Sequence, residues 1–493
     1  MKLLYNSTRN ITQQVTSAEA IIKGISNDGG LYVPNKIPTI DKNFVELTCM
    51  NYKELAFYIM KKYFTDFDND ELKTCIDSAY DEKFTEVAPI IEKNGLYFLE
   101  LYHGQTLAFK DIALSILPHL MKCAYKKLNI KSEIVILTAT SGDTGKAALE
   151  GFKDIEGTKI IVFYPTNGVS EIQKRQMITQ SGKNTYVVGI EGNFDDAQST
   201  IKKIFIDKDF NTKIQSNNYL FSSANSINIG RLVPQIVYYF HAYLELLRNK
   251  KIQWDEKINV AVPTGNFGNI LACYYAKKMG LPINKLICAS NENNVLTQFF
   301  NNGIYDTHRE FKTTNSPSMD IIISSNLERL LYLISNEDHN LVIELMEKLK
   351  IDGKYRLDNI LKLNLNDFYA GYANEEATIN SIRKMFENTG YVMDTHTAVA
   401  YSVYNQFKDK TNDNLKAVIV STASPFKFPR SMNNALQISD INCDEFEMIY
   451  KLADATGLDI PNSIRELEKR EILHNNICKK DEIKNVIGDI LKV

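Results

Sequence analysis

Strand and helix patterns alternate along the chain from Glu133 onward, and this alternation restricts the possible folds more than any other feature. The runs rich in β-branched residues are 133–138, 159–164, 185–190, 258–262, 285–289 and 416–421. Helical segments begin near Thr144, Ser170, Phe194 and Asn269. Strands that alternate with helical crossovers are typical of a parallel sheet covered by helices. The sequence therefore predicts an α/β core in two lobes.

The chain has 493 residues, which is too long for one hydrophobic core. We predict an N-terminal subdomain over residues 1–96, before the alternation begins. The predicted catalytic core covers 97–304 and 391–440, with a smaller lobe at about 133–230. Residues 305–390 are predicted to form a mostly helical insertion, and residues 441–493 a set of C-terminal helices.

The charge and cysteine content exclude several classes of protein. The 57 Lys and Arg nearly balance the 60 Asp and Glu, without a block of one sign, so neither nucleic acid nor an anionic membrane surface is an expected partner. The seven cysteines are scattered singly, which predicts no metal site and no disulfide framework. No apolar run is long enough to cross a membrane. We expect a soluble, cytoplasmic protein that acts on a small molecule.

Lys110 lies within the stretch 103–113, His-Gly-Gln-Thr-Leu-Ala-Phe-Lys-Asp-Ile-Ala, in an apolar setting at a predicted helix start. Apolar residues follow it at near-helical spacing: Ile112, Ala113, Ile116, Leu117, Leu120, Met121 and Ala124. Burial disfavours the ammonium form of a lysine, so Lys110 is a candidate nucleophile that could form a Schiff base. A lysine that extends its charge into water is the alternative, and it is the commoner case for such a stretch taken alone.

The loop 138–146, Thr-Ala-Thr-Ser-Gly-Asp-Thr-Gly-Lys, joins a predicted strand to a predicted helix. Its hydroxyl groups and its position at a helix N-terminus suit a carboxylate or a phosphate. It is not a P-loop, because that motif needs glycine where Thr140 stands and Ser or Thr where Ala147 stands. The alternative interpretation is a well-capped turn.

Three further segments follow predicted strands or begin helices. The loop 263–269, Pro-Thr-Gly-Asn-Phe-Gly-Asn, has two glycines that let the backbone approach a phosphate. The loop 421–428 offers the hydroxyl groups of Thr422 and Ser424. The segment 223–231 ends in Arg231, which suits bidentate binding of an oxyanion, although a capped helix with a solvated arginine is an equal alternative.

A lysine, a phosphate-binding loop, an anion-binding loop and an arginine together indicate pyridoxal 5′-phosphate, bound as a Schiff base, with an amino-acid substrate. The sequence closely resembles the threonine synthases of the fold type II pyridoxal-phosphate enzymes, in the longer subclass found in bacteria and fungi. The resemblance covers most of the chain and weakens in 305–390 and in the tail. Its motifs are 1–6, 103–110, 138–145, 225–231, 265–269 and 421–428.

The resemblance implies two open α/β lobes around the cofactor. It also implies conversion of O-phospho-L-homoserine and water to L-threonine and phosphate, by γ-elimination and β-hydration. Lys110 would bind the cofactor covalently, and Thr422 would bind its pyridine nitrogen. The other implied contacts are Gly265, Asn266, Phe267, Gly268 and Asn269 to the cofactor phosphate, Thr140, Ser141 and Thr144 to the substrate carboxylate, and Asn225, Ser226 and Arg231 to the substrate phosphate.

Two positions depart from the family pattern. Asp143 stands where many relatives outside this subclass have an asparagine that faces the 3′-oxygen of the cofactor, and Ser424 replaces a histidine that is common in close relatives. Two rival functions share parts of the pattern. A serine or threonine dehydratase would need Lys110 and the glycine loop but not Arg231, whereas a non-catalytic sensor of a phosphorylated ligand would not need Lys110. The sequence leaves monomer and homodimer open.

Overall fold

The computed structural model describes residues 2–84, 86–140, 142–166, 169–192, 197, 200–201, 203–205, 207–438 and 443–493. Two main sheets, each covered by helices, build the fold. The strands, β1 to β16 in chain order, are Tyr5–Ser7, Asn10–Val15, Tyr32–Pro34, Ile90–Lys93, Leu96–Glu100, Glu133–Ala139, Thr158–Pro165, Thr185–Glu191, Tyr219–Ser222, Ile258–Pro263, Ile283–Ser290, Ile304–Asp306, Lys354–Arg356, Phe368–Tyr372, Ala417–Ser421 and Asn476–Lys479.

The helices also follow chain order, α1 to α19. They are Ser17–Lys23, Phe44–Thr48, Tyr52–Tyr63, Asn69–Ala79, Lys110–Lys127, Asp143–Phe152, Glu171–Ile178, Lys208–Ser216, Ile229–Arg248, Gly268–Lys278, Val295–Asn302, Leu327–Ile334, His339–Asp352, Asn359–Leu363, Glu375–Thr389, Thr395–Thr411, Pro429–Ala435, Glu445–Thr456 and Ile483–Leu491. Three short 3₁₀ turns are Pro317–Met319, Pro425–Lys427 and Leu467–Lys469.

The larger sheet has six strands in the order β14-β11-β10-β15-β5-β4, and only the β4–β5 pair is antiparallel. The smaller sheet has five strands in the order β16-β8-β7-β6-β9, and every pair is parallel. Helices connect successive parallel strands, as parallel pairing requires. Loops that carry chemistry therefore gather at the carboxyl ends of the strands, where open α/β sheets bind ligands.

Helix α9 is an interior element of the molecule. Seventeen of its twenty residues are buried, so it is enclosed on all sides, and it packs against α3, α5 and α10. Asn228 caps its start, accepting a hydrogen bond from the amide of Gly230 at 2.9 Å. This cap places Arg231 in the first turn of the helix, at the end of the segment that follows β9.

The predicted strands of both lobes are present, with ends shifted by at most two residues. The predicted helix start at Phe194 lies outside the described residues. Among the strands that the sequence did not predict, four join segments that it had separated. β4 and β5 place residues 90–100 in the larger sheet, β14 places part of the predicted insertion in the same sheet, and β16 pairs the predicted helical tail with β8.

One cause explains why these strands were not predicted. Each missed strand is short, and most sit at or near a sheet edge, so local periodicity is weak and long-range pairing decides the structure. The domain boundaries at 96, 305, 390 and 441 stay predictions. In the described part of the chain, no helix combines the length and the apolar character needed to cross a membrane.

Candidate active site

One cavity lies between the carboxyl ends of the two sheets. It is reached by the loops that follow β5, β6, β9, β10 and β15. The predicted site residues that line it are Lys110, Thr140, Asp143, Thr144, Asn225, Ser226, Arg231, Gly265, Asn266, Phe267, Gly268, Asn269 and Thr422. Ser141 lies outside the described residues. The structure thus brings together residues that span more than three hundred positions in the sequence.

Lys110 is the first residue of α5, and its side chain is 13% exposed. The loop before it is fixed to the strand end of β15, because the Phe109 amide donates to the Thr422 carbonyl at 2.8 Å. Burial lowers the pKa of Lys110; the Asp143 carboxylate opposes this shift, and the cations of Lys427 and Arg231 add to it. A lysine with a lowered pKa is more readily neutral and hence more nucleophilic.

Asp143, the first residue of α6, accepts four hydrogen bonds or ion pairs. Its Oδ2 faces Lys110 Nζ at 3.2 Å and the Ser318 hydroxyl at 2.8 Å, and its Oδ1 faces Lys427 Nζ at 2.8 Å and Gln173 Nε2 at 2.9 Å. Burial alone would raise the pKa of Asp143, but Lys427 and Lys110 hold it well below its ordinary value. The carboxylate is therefore a buried anion between two lysines.

The loop 263–269 presents backbone to the cavity. Phe267 adopts a left-handed conformation (φ +63°) just before Gly268 opens α10, which turns the helix start toward the cavity. A Cβ atom on Gly268 would meet no protein atom closer than Asn326 Nδ2, at 3.6 Å, so this glycine leaves open a space that a phosphate can use. A Cβ atom on Gly265 would lie 2.9 Å from the Ser318 carbonyl oxygen, so that glycine is required by protein packing.

Two buried donors in this cavity lack partners among the described residues. Asn269 Nδ2 has none, although Asn269 Oδ1 accepts from the Tyr239 hydroxyl. Arg231 is 2% exposed; its Nη1 donates to the Ala224 carbonyl at 2.7 Å, and its Nε has no partner. Burial lowers the pKa of Arg231 to about 10, so it stays cationic at neutral pH. Unpaired buried donors beside open backbone amides suit a site for anions.

Some hydroxyl groups of the other predicted loops accept hydrogen bonds from backbone amides of their own loop. Thr140 Oγ1 accepts from the amides of Gly142 at 3.0 Å and Gly145 at 2.9 Å, which fixes the turn before α6. Ser424 Oγ accepts from the amide of Phe426 at 3.3 Å and caps the 3₁₀ turn 425–427. Ser424 therefore has a structural contact, whereas Thr422 lines the cavity.

Sequence reasoning missed five residues that complete the site. Ser318 and His396 line the cavity; the His396 ring accepts from the Ser318 amide at 3.2 Å and pairs with Asp394 at 2.7 Å. The others are Asn326, Arg329 and Lys427. Asp394 and His396 stand two residues apart, but no local pattern distinguishes them from a helix cap. A lysine between Phe426 and Phe428, close to Thr422, was the one signal that could have indicated Lys427.

Models of known protein families match nearly the whole chain. The family model "Threonine synthase N terminus" matches residues 4–80, "Pyridoxal-phosphate dependent enzyme" matches 84–423, and "Threonine synthase, C-terminal" matches 397–487. Human "Threonine synthase-like 1" is 39% identical over 489 residues, covering 94% of this chain and 64% of the human protein. The chain thus spans less than two thirds of that relative.

Other relatives match along most of their length. Threonine synthase of Saccharomyces cerevisiae is 37% identical over 465 residues, covering 88% of this chain and 89% of the yeast protein. The crystal structure of the yeast enzyme superposes with a TM-score of 0.88 at 33% identity, covering 99% of each chain. The PLP-bound threonine synthase of Brucella melitensis superposes with a TM-score of 0.87 at 32% identity, covering 100% of this chain and 99% of the other.

Proposed function

Because the chain belongs to the threonine synthase family of pyridoxal-phosphate-dependent enzymes, we propose that it converts O-phospho-L-homoserine and water to L-threonine and phosphate. Its fold is the mixed α/β fold of the type II pyridoxal-phosphate enzymes, and its cofactor is pyridoxal 5′-phosphate. The proposed reaction is γ-elimination of phosphate followed by β-hydration, the last step of threonine biosynthesis.

The observation that carries this proposal is the position of Arg231. Its guanidinium is buried in the same cavity as Lys110, and its Nε has no protein partner among the described residues. A buried guanidinium without a carboxylate partner is unfavourable unless an anion completes it. The phosphate of O-phospho-L-homoserine is such an anion. It is also the leaving group of the proposed reaction.

The residues present fit the cofactor. We assign its phosphate to Gly265, Asn266, Phe267, Gly268 and Asn269, where an open backbone cradle and an unpaired Asn269 amide nitrogen converge. We assign Lys110 as the Schiff-base lysine, Asp143 as the acidic group beside it and Thr422 as the partner of the pyridine nitrogen. When bound, pyridoxal phosphate supplies an electron sink for negative charge at the substrate α-carbon.

In the proposed reaction Lys110 moves the protons. Its Nζ would take the proton from Cα of the bound substrate and later transfer protons at Cβ and Cγ. Arg231, with Asn225 and Ser226, holds the phosphate that leaves Cγ, and its positive charge stabilises the charge that develops there. Water would then add at Cβ, with Lys110 Nζ returning a proton to Cα.

The α-carboxylate of the substrate is assigned to the loop after β6, through Thr140, Ser141 and Thr144. The start of α6 supplies amide groups and the positive end of the helix dipole. A neutral hydroxyl at Thr422, in place of a carboxylate, would leave the pyridine nitrogen largely unprotonated, and this weaker electron sink would restrain competing reactions.

Two rival functions give different expectations. A serine or threonine dehydratase would share Lys110 and the glycine loop but has no anion to place on Arg231. A sensor of a phosphorylated ligand would use Arg231 but has no need of a buried lysine with a lowered pKa. We further propose that the enzyme acts in the cytoplasm on a small-molecule substrate, without nucleic acid or membrane partners, as a monomer or a homodimer.

Phosphate release from O-phospho-L-homoserine tests the proposal, with serine as the competing substrate and the visible spectrum as the measure of cofactor binding. We expect phosphate and threonine in equal amounts, and Lys110→Ala to abolish both turnover and the visible band. Borohydride reduction and peptide mapping should label Lys110, while Lys146, a buried lysine in the next helix, stays unlabelled. Deamination of serine without action on phosphohomoserine would contradict the substrate, and a label on another lysine would contradict the Lys110 assignment.

A further inference from the structure

Lys427 is fully buried, and it lies directly behind the active-site carboxylate. Its Nζ is 2.8 Å from Asp143 Oδ1, while Lys110 Nζ is 3.2 Å from Oδ2 of the same carboxylate. The side chains of Lys427 and Asp143 are 0% and 3% exposed. One carboxylate thus stands between two ammonium groups, one of which lines the cavity and one of which does not.

The remaining contacts of Lys427 fix it in place. Its Nζ also donates to the Thr106 carbonyl at 2.7 Å, and the Thr106 amide donates to Asp111 at 2.8 Å. The Pro425–Lys427 turn, capped by Ser424, holds the backbone of Lys427 just beyond Thr422. These contacts place Lys427 Nζ between Asp143 and the Thr106 carbonyl.

Charge balance explains why this lysine is buried there. An unpaired buried carboxylate or ammonium has a large desolvation penalty, and removal of one member of a buried pair is strongly destabilising. Without Lys427, Asp143 would be an anion balanced only by Lys110, the group that must be able to lose its proton. With Lys427, the charge of the carboxylate is already balanced. Asp143 can then accept a hydrogen bond from Lys110 while favouring the ammonium form of Lys110 less than an unpaired carboxylate would.

We propose that Lys427 is a positioning residue of the active site, which neutralises Asp143 and holds its carboxylate against Lys110, so that Asp143 and Lys427 act on Lys110 as one neutral unit. The charged groups that face Lys110 are then Asp143, Lys427 and Arg231, and Asp111 also faces Lys427. This inference rests on the proposed role of Lys110 but not on the identity of the substrate, because its test uses the cofactor alone.

The test is a pH titration of the visible absorbance of the holoenzyme without substrate, for wild type, Lys427→Met, Asp143→Asn and the double variant. A nearby negative charge favours the protonated Schiff base, and a nearby positive charge disfavours it. We expect the midpoint to shift by about one pH unit or more to higher pH in Lys427→Met and to lower pH in Asp143→Asn. In the double variant, which has neither buried charge, it should return toward wild type.

Two comparisons keep the proposal falsifiable if Lys427→Met does not fold. Asp143→Asn and its double variant both lack the anion, so a difference between their midpoints measures the charge of Lys427 alone; equal midpoints would overturn the proposal. Lys146→Met is the matched control, because Lys146 is also buried but bonds to Gln180 and Glu150. A shift in this control as large as that in Lys427→Met would likewise overturn it.

The affinity for pyridoxal phosphate is the second measurement. We expect a loss of about tenfold or more in each single variant, from a misplaced Lys110, and a smaller loss in the double variant. Losses that simply add would show that the two residues act independently, contrary to the proposal. If the borohydride label in wild type falls on a lysine other than Lys110, the proposed function fails on its own result, before any of these variants is compared.

Discussion

Asn326 donates a hydrogen bond from its side-chain Nδ2 to the backbone carbonyl of Asn266 at 2.9 Å, which ties a segment after Met319 to the loop 263–269. Arg329 fixes the direction of this amide, because its Nη1 donates to Asn326 Oδ1 at 2.5 Å. The Ser324 hydroxyl adds a bond to the Gly265 carbonyl at 2.7 Å. Part of the predicted insertion thus supports the loop that we assign to the cofactor phosphate.

Asn326→Ala should therefore weaken cofactor binding although Asn326 does not line the cavity. Loss of two or three hydrogen bonds of roughly 1 kcal/mol each lets the loop move, and we expect the affinity for pyridoxal phosphate to fall about tenfold or more. Equilibrium dialysis measures this directly. Asn433→Ala is the control, because Asn433 is also buried and donates to two backbone carbonyls; it should lose stability but keep its cofactor.

The two glycines of the loop 263–269 should respond in opposite ways. Gly268→Ala adds a methyl group into open space 3.6 Å from Asn326, so the melting temperature should change little while cofactor affinity falls at least tenfold. Gly265→Ala places a methyl group 2.9 Å from the Ser318 carbonyl, so stability should fall by about 1–3 kcal/mol. Wild-type cofactor affinity in Gly268→Ala would place the phosphate elsewhere.

The core strands and the chemical loops were predictable because each rests on local information. Adjacent residues alone indicate a β-branched run such as 258–262 and the glycine loop after it. Parallel strands then bring the loops at their carboxyl ends together. Ser318, Asn326, His396 and Lys427 were not predictable in the same way. Asn326 reaches Asn266 across 60 positions and Lys427 reaches Asp143 across 284, and no spacing within a window encodes such a pair.

The two glycines of the loop 263–269 are required for different physical reasons. From the motif alone, Gly265 and Gly268 share one explanation, the approach of backbone to a phosphate. The structure supports that explanation for Gly268, where the space is open, but at Gly265 the Ser318 carbonyl already requires glycine. A residue type in a motif can therefore have a reason that lies in a distant segment of the chain.

Asp143 should contribute stability that depends on pH. Its pKa is lowered on folding, so the folded form binds fewer protons at this site, and the stabilisation is fully present above the unfolded pKa of about 3.9 and is lost as the pH falls toward the lower folded value. Asp143→Asn should therefore destabilise the protein at pH 7 and destabilise it less near pH 3. Urea unfolding at both values, with Asp409→Asn as an exposed control, checks this; an equal difference at both would contradict it.

Arg231→Ala separates the proposed reaction from its nearest rival. If Arg231 holds the leaving phosphate, its removal takes away charge-assisted contacts of about 1.5–3 kcal/mol each, so kcat/KM on phosphohomoserine should fall by roughly one to two orders of magnitude. The visible band of the cofactor should persist, because the cofactor phosphate is assigned to another loop. Any activity on serine, which has no phosphate, should change far less.

The control for Arg231→Ala lies on the same helix. Arg248 ends α9, pairs with Glu245 and donates to the carbonyls of Thr48 and Met50, far along the helix from the cavity. Arg248→Ala should lower the melting temperature and leave the ratio of the two substrate activities unchanged, since it disturbs the helix without touching an anion site. Steady-state kinetics with both substrates on both variants measures this ratio. Equal losses on phosphohomoserine and serine in Arg231→Ala would mean that Arg231 supports the helix rather than the substrate phosphate.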